Sequence, residues 1–170
     1  MRLTVRKPEP SEKEAILSLV ARAFTGPDHD GNEEAQIVLD TWRLGAVISG
    51  LELVAVDREV LVGHVLGARG RQGSPPFVAV APLSVDPSHQ RQGVGTALMA
   101  ALLRHADRQR WPAVVLLGDP SYYGRFGFEP SGPTGVFYDI VGRDSPYFQI
   151  RRLSAFDASA QGSFHYCWEA

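Results

Sequence analysis

The sequence predicts a mixed α/β (α+β) protein: one mixed, mostly antiparallel sheet flanked by helices. Three observations carry this. Apolar runs at Leu51–Asp57 and Val60–Arg69 are separated only by a short polar turn, the pattern of an antiparallel hairpin. A strand-like run at Phe77–Val85, a glycine turn, a helical stretch and a second apolar run at Ala113–Leu117 form a β-α-β unit. Further apolar segments follow at Gly135–Tyr138, Phe148–Leu153 and Gly162–Trp168, so strands continue beyond that unit.

Taken in order, Leu3–Arg6 alternates and reads as the first strand, broken by Pro8 and Pro10. Ser11 with Glu14 has capping-box spacing, and Ile16, Leu17, Leu19, Val20 and Phe24 then share one helical face. Gly26–Asp30 reads as a loop. Asn32 is the expected cap of a second helix, with Ile37, Val38, Trp42 and Leu44 as its apolar face and Ser49-Gly50 as its end. The hairpin comes next, then a loop at Gly70–Pro76. In the run Phe77–Val85, Pro82 donates no ladder hydrogen bond, so a bulge or a sheet edge is expected near it. Gly95–Arg110 is helical, with Leu98, Leu102, Leu103 and Ala106 as its stripe, and Trp111-Pro112 stops it. Ala113–Leu117, apolar throughout, reads as a strand buried on both faces, and Tyr122–Phe126 has room for only a short helix.

The 170 residues are read as one domain, 1–170, long enough for a sizeable core. Apolar residues at 44 % and charged ones at 21 % place it among globular proteins rather than disordered chains. A net charge of −2 gives no electrostatic case for nucleic acid or an anionic membrane as partner. No run approaches the roughly 20 apolar residues of a membrane span, and Met1–Val5 shows no apolar signal core. The single cysteine, Cys167, closes no internal disulfide, which fits a reducing cytoplasm. A homodimer is compatible with all of this.

The chemistry concentrates at Gln90-Arg91-Gln92-Gly93-Val94-Gly95-Thr96. A turn opening a helix leaves backbone N–H groups unpaired and aimed one way. The helix dipole adds partial positive charge there and Arg91 a full one, so a phosphate is the natural guest. Side chains at positions 93 or 95 would hold that guest away from the backbone. A dinucleotide fingerprint wants a third glycine where Leu98 stands, and a Walker P-loop wants Gly-Lys-Ser/Thr, which does not follow.

Gln90-x-x-Gly93-x-Gly95, preceded by Leu83-Ser84-Val85-Asp86-Pro87 and followed by Thr96-Ala97-Leu98-Met99, resembles the acyl-coenzyme A site of the GNAT N-acetyltransferases. Asp119-Pro120-Ser121-Tyr122-Tyr123-Gly124-Arg125-Phe126-Gly127-Phe128 is similar to that family's tyrosine-bearing helix, in the form found in one bacterial branch. The resemblance covers about Leu51 to Glu129. It implies a GNAT-like acyl-CoA N-acyltransferase fold, with the sheet splayed at a bulge near Pro82. It implies acetyl-coenzyme A as cosubstrate, no metal, and direct attack by an amine within a ternary complex. The backbone of Leu83, Ser84 and Val85 would hold the pantetheine arm. Arg91, Gln92, Gly93, Val94, Gly95 and Thr96 would bind the pyrophosphate, and Tyr123 would protonate the departing thiolate. Gln90 would shape the turn. Thr96 reads equally as a plain first-turn residue, and Tyr123 has a rival reading as a packing aromatic. Asp119 and Ser121 read as the cap of the Tyr122 helix, and Cys167 as core.

Many members of the family carry a glutamate on the strand before the glycine turn, but Phe77–Val85 contains no acid or histidine. Glu34, Glu52 and His64 are then the candidates for proton transfer or acceptor contact, with a water chain as a further route. His64 also reads as a satisfied core histidine, and His29 with Asp28 and Asp30 reads as a solvated loop rather than a metal site. The resemblance makes Gly26–Glu34 a wall of the acceptor site, and its acids suggest a cationic small-molecule or peptide amine. A coenzyme-binding module without turnover is the reading from a different class, and transfer of a longer acyl group is a third.

Overall fold

The structure is a computed structural model and describes residues 1–169. Its strands are β1 (Leu3–Arg6), β2 (Thr25–Gly26), β3 (His29–Asp30), β4 (Val47–Asp57), β5 (Val60–Arg69), β6 (Val78–Val85), β7 (Ala113–Leu117), β8 (Glu129–Pro130), β9 (Val136–Phe137), β10 (Phe148–Arg152) and β11 (Gly162–Ser163). Its α-helices are α1 (Lys13–Phe24), α2 (Asn32–Arg43), α3 (Val94–Arg108) and α4 (Pro120–Tyr123). Seven strands form one sheet in the order β1-β4-β5-β6-β7-β10-β8, and every pairing in it is antiparallel except β6 with β7. The mixed, mostly antiparallel sheet flanked by helices is therefore the fold the sequence predicts.

Helices α1 and α2 cover one face of the sheet and α3 the other. Ile16 and Val20 of α1 and Val38 of α2 pack on Val54, Val56, Leu66 and Ala68. On the opposite face, Leu98, Met99 and Leu102 of α3 pack on Leu51, Leu53, Ala55 and Val65. A third cluster, Phe77, Val115, Phe148, Ile150, Phe164 and Tyr166, joins β7 and β10 to the C-terminal segment. Among the described residues no helix is long and apolar enough to cross a membrane.

Several local expectations need correction. The capping box belongs to Glu9 and Glu12, not Ser11 and Glu14: the Glu9 amide donates to Glu12 Oε2 at 2.7 Å and opens a 3₁₀ turn before α1. The N-cap of α2 is Gly31 rather than Asn32, and Asp30 supplies the side-chain oxygen that accepts the Asn32 amide. Gly26–Asp30 is not wholly loop, because β2 and β3 close a two-residue ladder. Ser49-Gly50 lies inside β4, whose ladder is irregular there, because Gly50 at φ +82° lets the strand continue past it. Leu44 falls beyond α2 and is 59 % exposed. Of the last apolar segment only Gly162–Ser163 is strand, paired in parallel with β9.

Pro82 sits in a bulge as the sequence anticipates. Leu83 faces Val65 and Val80 faces Gly67, so Ala81 and Pro82 together oppose the single residue Leu66. The same stretch has lost its other neighbour, since β6 pairs with β7 only at Val78 and Ala79.

Gly31 fixes the turn into α2 with φ +74°, and a Cβ there would run into the backbone of Ala21 on α1. Gly45 also has positive φ, +63°, but faces open space. Gly31→Ala is expected to destabilise by at least ~3 kcal/mol, strain and clash together, and Gly45→Ala by about 1 kcal/mol. Urea unfolding of the two variants side by side checks the difference.

Candidate active-site cleft

Where β6 leaves β7, a cavity of about 540 Å³ opens, lined by Leu83 and Val85, the turn from Gln90 to Thr96 except Gln92, Ala23 and Phe24 of α1, and Tyr122, Tyr123 and Arg125. Each wall has a local cause. The Asp86 amide donates to the Val62 carbonyl on the β5 side. By the alternation of an antiparallel ladder, Ser84 faces β5 as well, while Leu83 and Val85 present their N–H and C=O groups to the open edge. The Val85 carbonyl there accepts a bond from the Gln90 side chain at 3.3 Å.

The turn begins with Arg91 at φ +61° and closes with Gly93, the N-cap of α3, at φ +87°. No side chain caps this helix. Its first internal bond runs from Ala97 to the Gly93 carbonyl, and no acceptor among the described residues takes the amides of Val94, Gly95 and Thr96. Arg91 has no carboxylate partner among the described residues, nor has Arg125, whose guanidinium lies 4.6 Å from the Tyr122 ring centroid. Among the described residues no acid lines the cavity. Arg125 Nε also donates to the Tyr122 carbonyl at 2.9 Å. Free amides, a helix dipole and two guanidiniums without carboxylate partners among the described residues give this end of the cavity a positive potential that suits an anion, and the apolar strand edge beside it suits an extended, uncharged chain.

The Tyr-Tyr pair divides its work. Gly95 lets the Tyr122 hydroxyl lie against the start of α3, where a Cβ would collide with it. Tyr123 sinks its ring between Phe126 and Phe128 and against Gly118, where a Cβ would stand 2.5 Å from Cε2. Its ring still reaches the cavity, and its hydroxyl has no hydrogen-bond partner among the described residues. Burial pushes the Tyr123 phenol up to about 12. Asp119 caps α4 by accepting the Ser121 amide at 2.9 Å, the structural role the sequence suggests.

The remaining candidates fall elsewhere. Gln92 is in the turn but not on the cavity wall, and its amide donates to the Ser88 carbonyl. The Ser84 side chain is buried, on the face opposite Leu83 and Val85. Glu34 pairs with His29 at 2.8 Å outside the cavity and raises the His29 pKa. His64 is buried at 0 % exposure against Glu52, also outside the cavity. Cys167 lies 3.7 Å from the Thr41 hydroxyl and burial pushes its thiol up, so it stays protonated. Sequence reasoning did not select Arg125. Its place one turn beyond Tyr122 was the available signal.

The sheet parts beside a bare, glycine-bearing helix N-terminus, with a partly buried phenol at the parting, and comparison with known proteins assigns this arrangement to the acetyltransferases. Residues 13–128 match the acetyltransferase (GNAT) family model, and the chain belongs to that family. It is 32 % identical over 155 residues to the uncharacterized N-acetyltransferase YhbS of Escherichia coli K12, covering 89 % of this chain and 88 % of that one. The crystal structure of YhbS from Escherichia coli in complex with CoA superposes with a TM-score of 0.84 at 30 % identity, covering 98 % of this chain and 90 % of that one. A GNAT family acetyltransferase from Brucella melitensis in complex with acetyl-CoA shares the fold, with a TM-score of 0.78 at 24 % identity over 98 % of this chain and 97 % of that one.

A phenol whose folded pKa is raised stays neutral through the working pH range. Its contribution to stability is complete below pH 10 and is lost as pH rises through about 12. Spectrophotometric titration of the wild type against Tyr123→Phe should therefore show a difference of one phenol ionising near pH 12, with no difference below pH 10.5.

Proposed function

We propose that the chain, as one domain over residues 1–170, transfers the acetyl group of acetyl-coenzyme A to a primary amine by direct attack in a ternary complex. The observation that carries this is the cleft itself: unpaired amides of Val94, Gly95 and Thr96 and the guanidinium of Arg91 at one end, and the open edge of β6 leading to Tyr123 at the other. In this reading the diphosphate sits on Arg91–Thr96, with Gln92 helping to shape the turn rather than touching the ligand. The pantetheine arm pairs with the outward backbone groups of Leu83 and Val85, and Ser84 holds β6 to β5 between them. The thioester then lies beside Tyr123, whose neutral phenol supplies the proton that the departing thiolate takes. Holding both substrates in one cleft supplies much of the rate. The acceptor is a small molecule or peptide amine reaching the cleft past the α1–α2 turn, where Glu34 and His29 stand.

The absence of any carboxylate or imidazole from the cleft wall favours a second reading, a coenzyme-binding module without turnover. Thiol release from acetyl-coenzyme A with a panel of amines separates the two: binding without release on any amine supports the module.

Gly93 faces open space, so a longer side chain there enters the cleft at a folding cost of about 1–3 kcal/mol. Gly93→Glu should weaken coenzyme binding in calorimetry by at least ~100-fold, because its carboxylate takes the place of the diphosphate. Tyr123→Phe should lower kcat by about 100-fold while coenzyme Kd stays within about threefold. Equal losses in both would make Tyr123 a packing residue.

A further inference from the structure

One buried polar line remains outside the cleft wall. His64 Nε2 lies 2.9 Å from Glu52 Oε1, which also accepts the Trp42 indole N–H at 2.9 Å. A carboxylate only accepts, so Nε2 carries the imidazole proton and Nδ1 presents a lone pair, a tautomer assigned from this network. Among the described residues that Nδ1 has no hydrogen-bond partner, and neither has the buried hydroxyl of Ser84. The two residues are direct cross-strand partners, so their side chains leave the same face of the sheet side by side. The two atoms are not hydrogen-bonded to each other either, and two unpaired polar atoms buried on neighbouring cross-strand residues call for a role.

The line has two ends. Ser84 stands between Leu83 and Val85, the cleft-lining residues of β6, but on the α1 side of the sheet. A thioester laid along that edge from the α3 side leaves the α1 side to the attacking amine. At the other end Glu52 lines a second cavity of about 400 Å³ with Ile16, Trp42 and Val47. We propose that Ser84, its hydroxyl turned onto His64 Nδ1, relays the amine's proton from the cleft to His64 as the base, with Glu52 holding the opposite nitrogen of the ring. The proposal rests on the acetyl-transfer reading above.

The amine lone pair forms the C–N bond, and the C–S bond breaks with its electron pair on sulfur. The proton leaving nitrogen passes to the Ser84 oxygen as the Ser84 proton passes to His64 Nδ1. Tyr123 protonates the thiolate, and the imidazolium returns its Nδ1 proton through Ser84 to the cleft, where the Tyr123 phenolate takes it, so that Nε2 keeps its proton on Glu52 and the starting tautomer is restored. Glu52 is a positioning residue that holds the tautomer and stabilises the imidazolium. The groups facing the line are Glu52 from β4, Trp42 from α2, and from α1 the apolar Ile16 and Val20 together with Lys13, whose ammonium lies 5.5 Å from the Trp42 ring centroid. Glu9 shares the second cavity with them.

The test follows thiol release from acetyl-coenzyme A with tyramine, spermidine and the N-terminal amine of a short peptide, from pH 5.5 to 9. Wild type, His64→Gln and Ser84→Ala are compared, with coenzyme Kd and Tm measured on each. His64→Gln should lower kcat by about 100-fold and flatten the acidic limb of the profile, with coenzyme Kd within twofold. Ser84→Ala removes one unpartnered oxygen, so its Tm should hold or rise while kcat falls at least ~10-fold. That variant carries the test alone if His64→Gln does not fold. Wild-type kcat and pH profile in Ser84→Ala overturn the relay, and in His64→Gln the assignment of the base, while the transferase reading stands. Wild-type protein that binds coenzyme but releases no thiol with any amine overturns both.

Discussion

Past Ala79, β6 keeps β5 as a partner and loses β7, and the cleft depends on that parting. A strand with one free edge exposes backbone donors and acceptors that an extended ligand can pair with, as another strand would. The parting coincides with a proline bulge, and the pairing with β7 has ended before Pro82, which has no N–H to give. The helix that returns from β6 to β7 must start beside the opening, which brings its three unpaired amides to the end of the same cleft. Strand edge and helix start are therefore two consequences of one β-α-β crossover whose strands do not stay together.

Charge decides what enters. Among the described residues the lining includes two guanidiniums without carboxylate partners and no acid, although the whole chain carries a net charge of −2. The acids are placed elsewhere: Glu34 on His29, Asp86 on Arg22, and Asp119 and Asp107 on backbone amides. In the proposed reading a dianionic diphosphate meets a locally positive wall on a mildly negative protein, and the shallow surface charge adds little against it at physiological ionic strength.

Local signals in the sequence were enough for the large elements and for the cleft wall. Period-3.6 apolar faces in α1 and α3, the hairpin of β4 and β5, and the glycine turn all rest on neighbours in the chain. The readings that needed correction rest on contacts between distant residues. Asn32 was the best capping residue by type, yet Gly31 holds the N-cap because only a residue without Cβ fits over Ala21 of α1. Two-residue strands such as β8 and β11 carry no periodicity, and they exist only because β10 and β9 offer them an edge. Arg125 was passed over because its value comes from having no acid nearby, which no motif records.

The Glu52–His64–Ser84 line shows the same limit most sharply, since two bulges set it. From the turn outward, Asp57 pairs with Val60 and Val56 with Leu61, a register that would carry His64 opposite Leu53, on the α3 face. The extra residue Val62 shifts the ladder by one, so His64 faces Val54 and meets Glu52 on the α1 side. In β6 the bulge at Ala81-Pro82 does the same. Val78 and Val80 point to the α3 core before it, and beyond it Leu83 and Val85 take that face while Ser84 turns to His64. A one-residue slip exchanges the faces of everything that follows. Undoing either bulge would therefore separate Ser84 from His64 by the thickness of the sheet, so the polar line and the apolar cleft wall beside it are fixed by the same two irregularities.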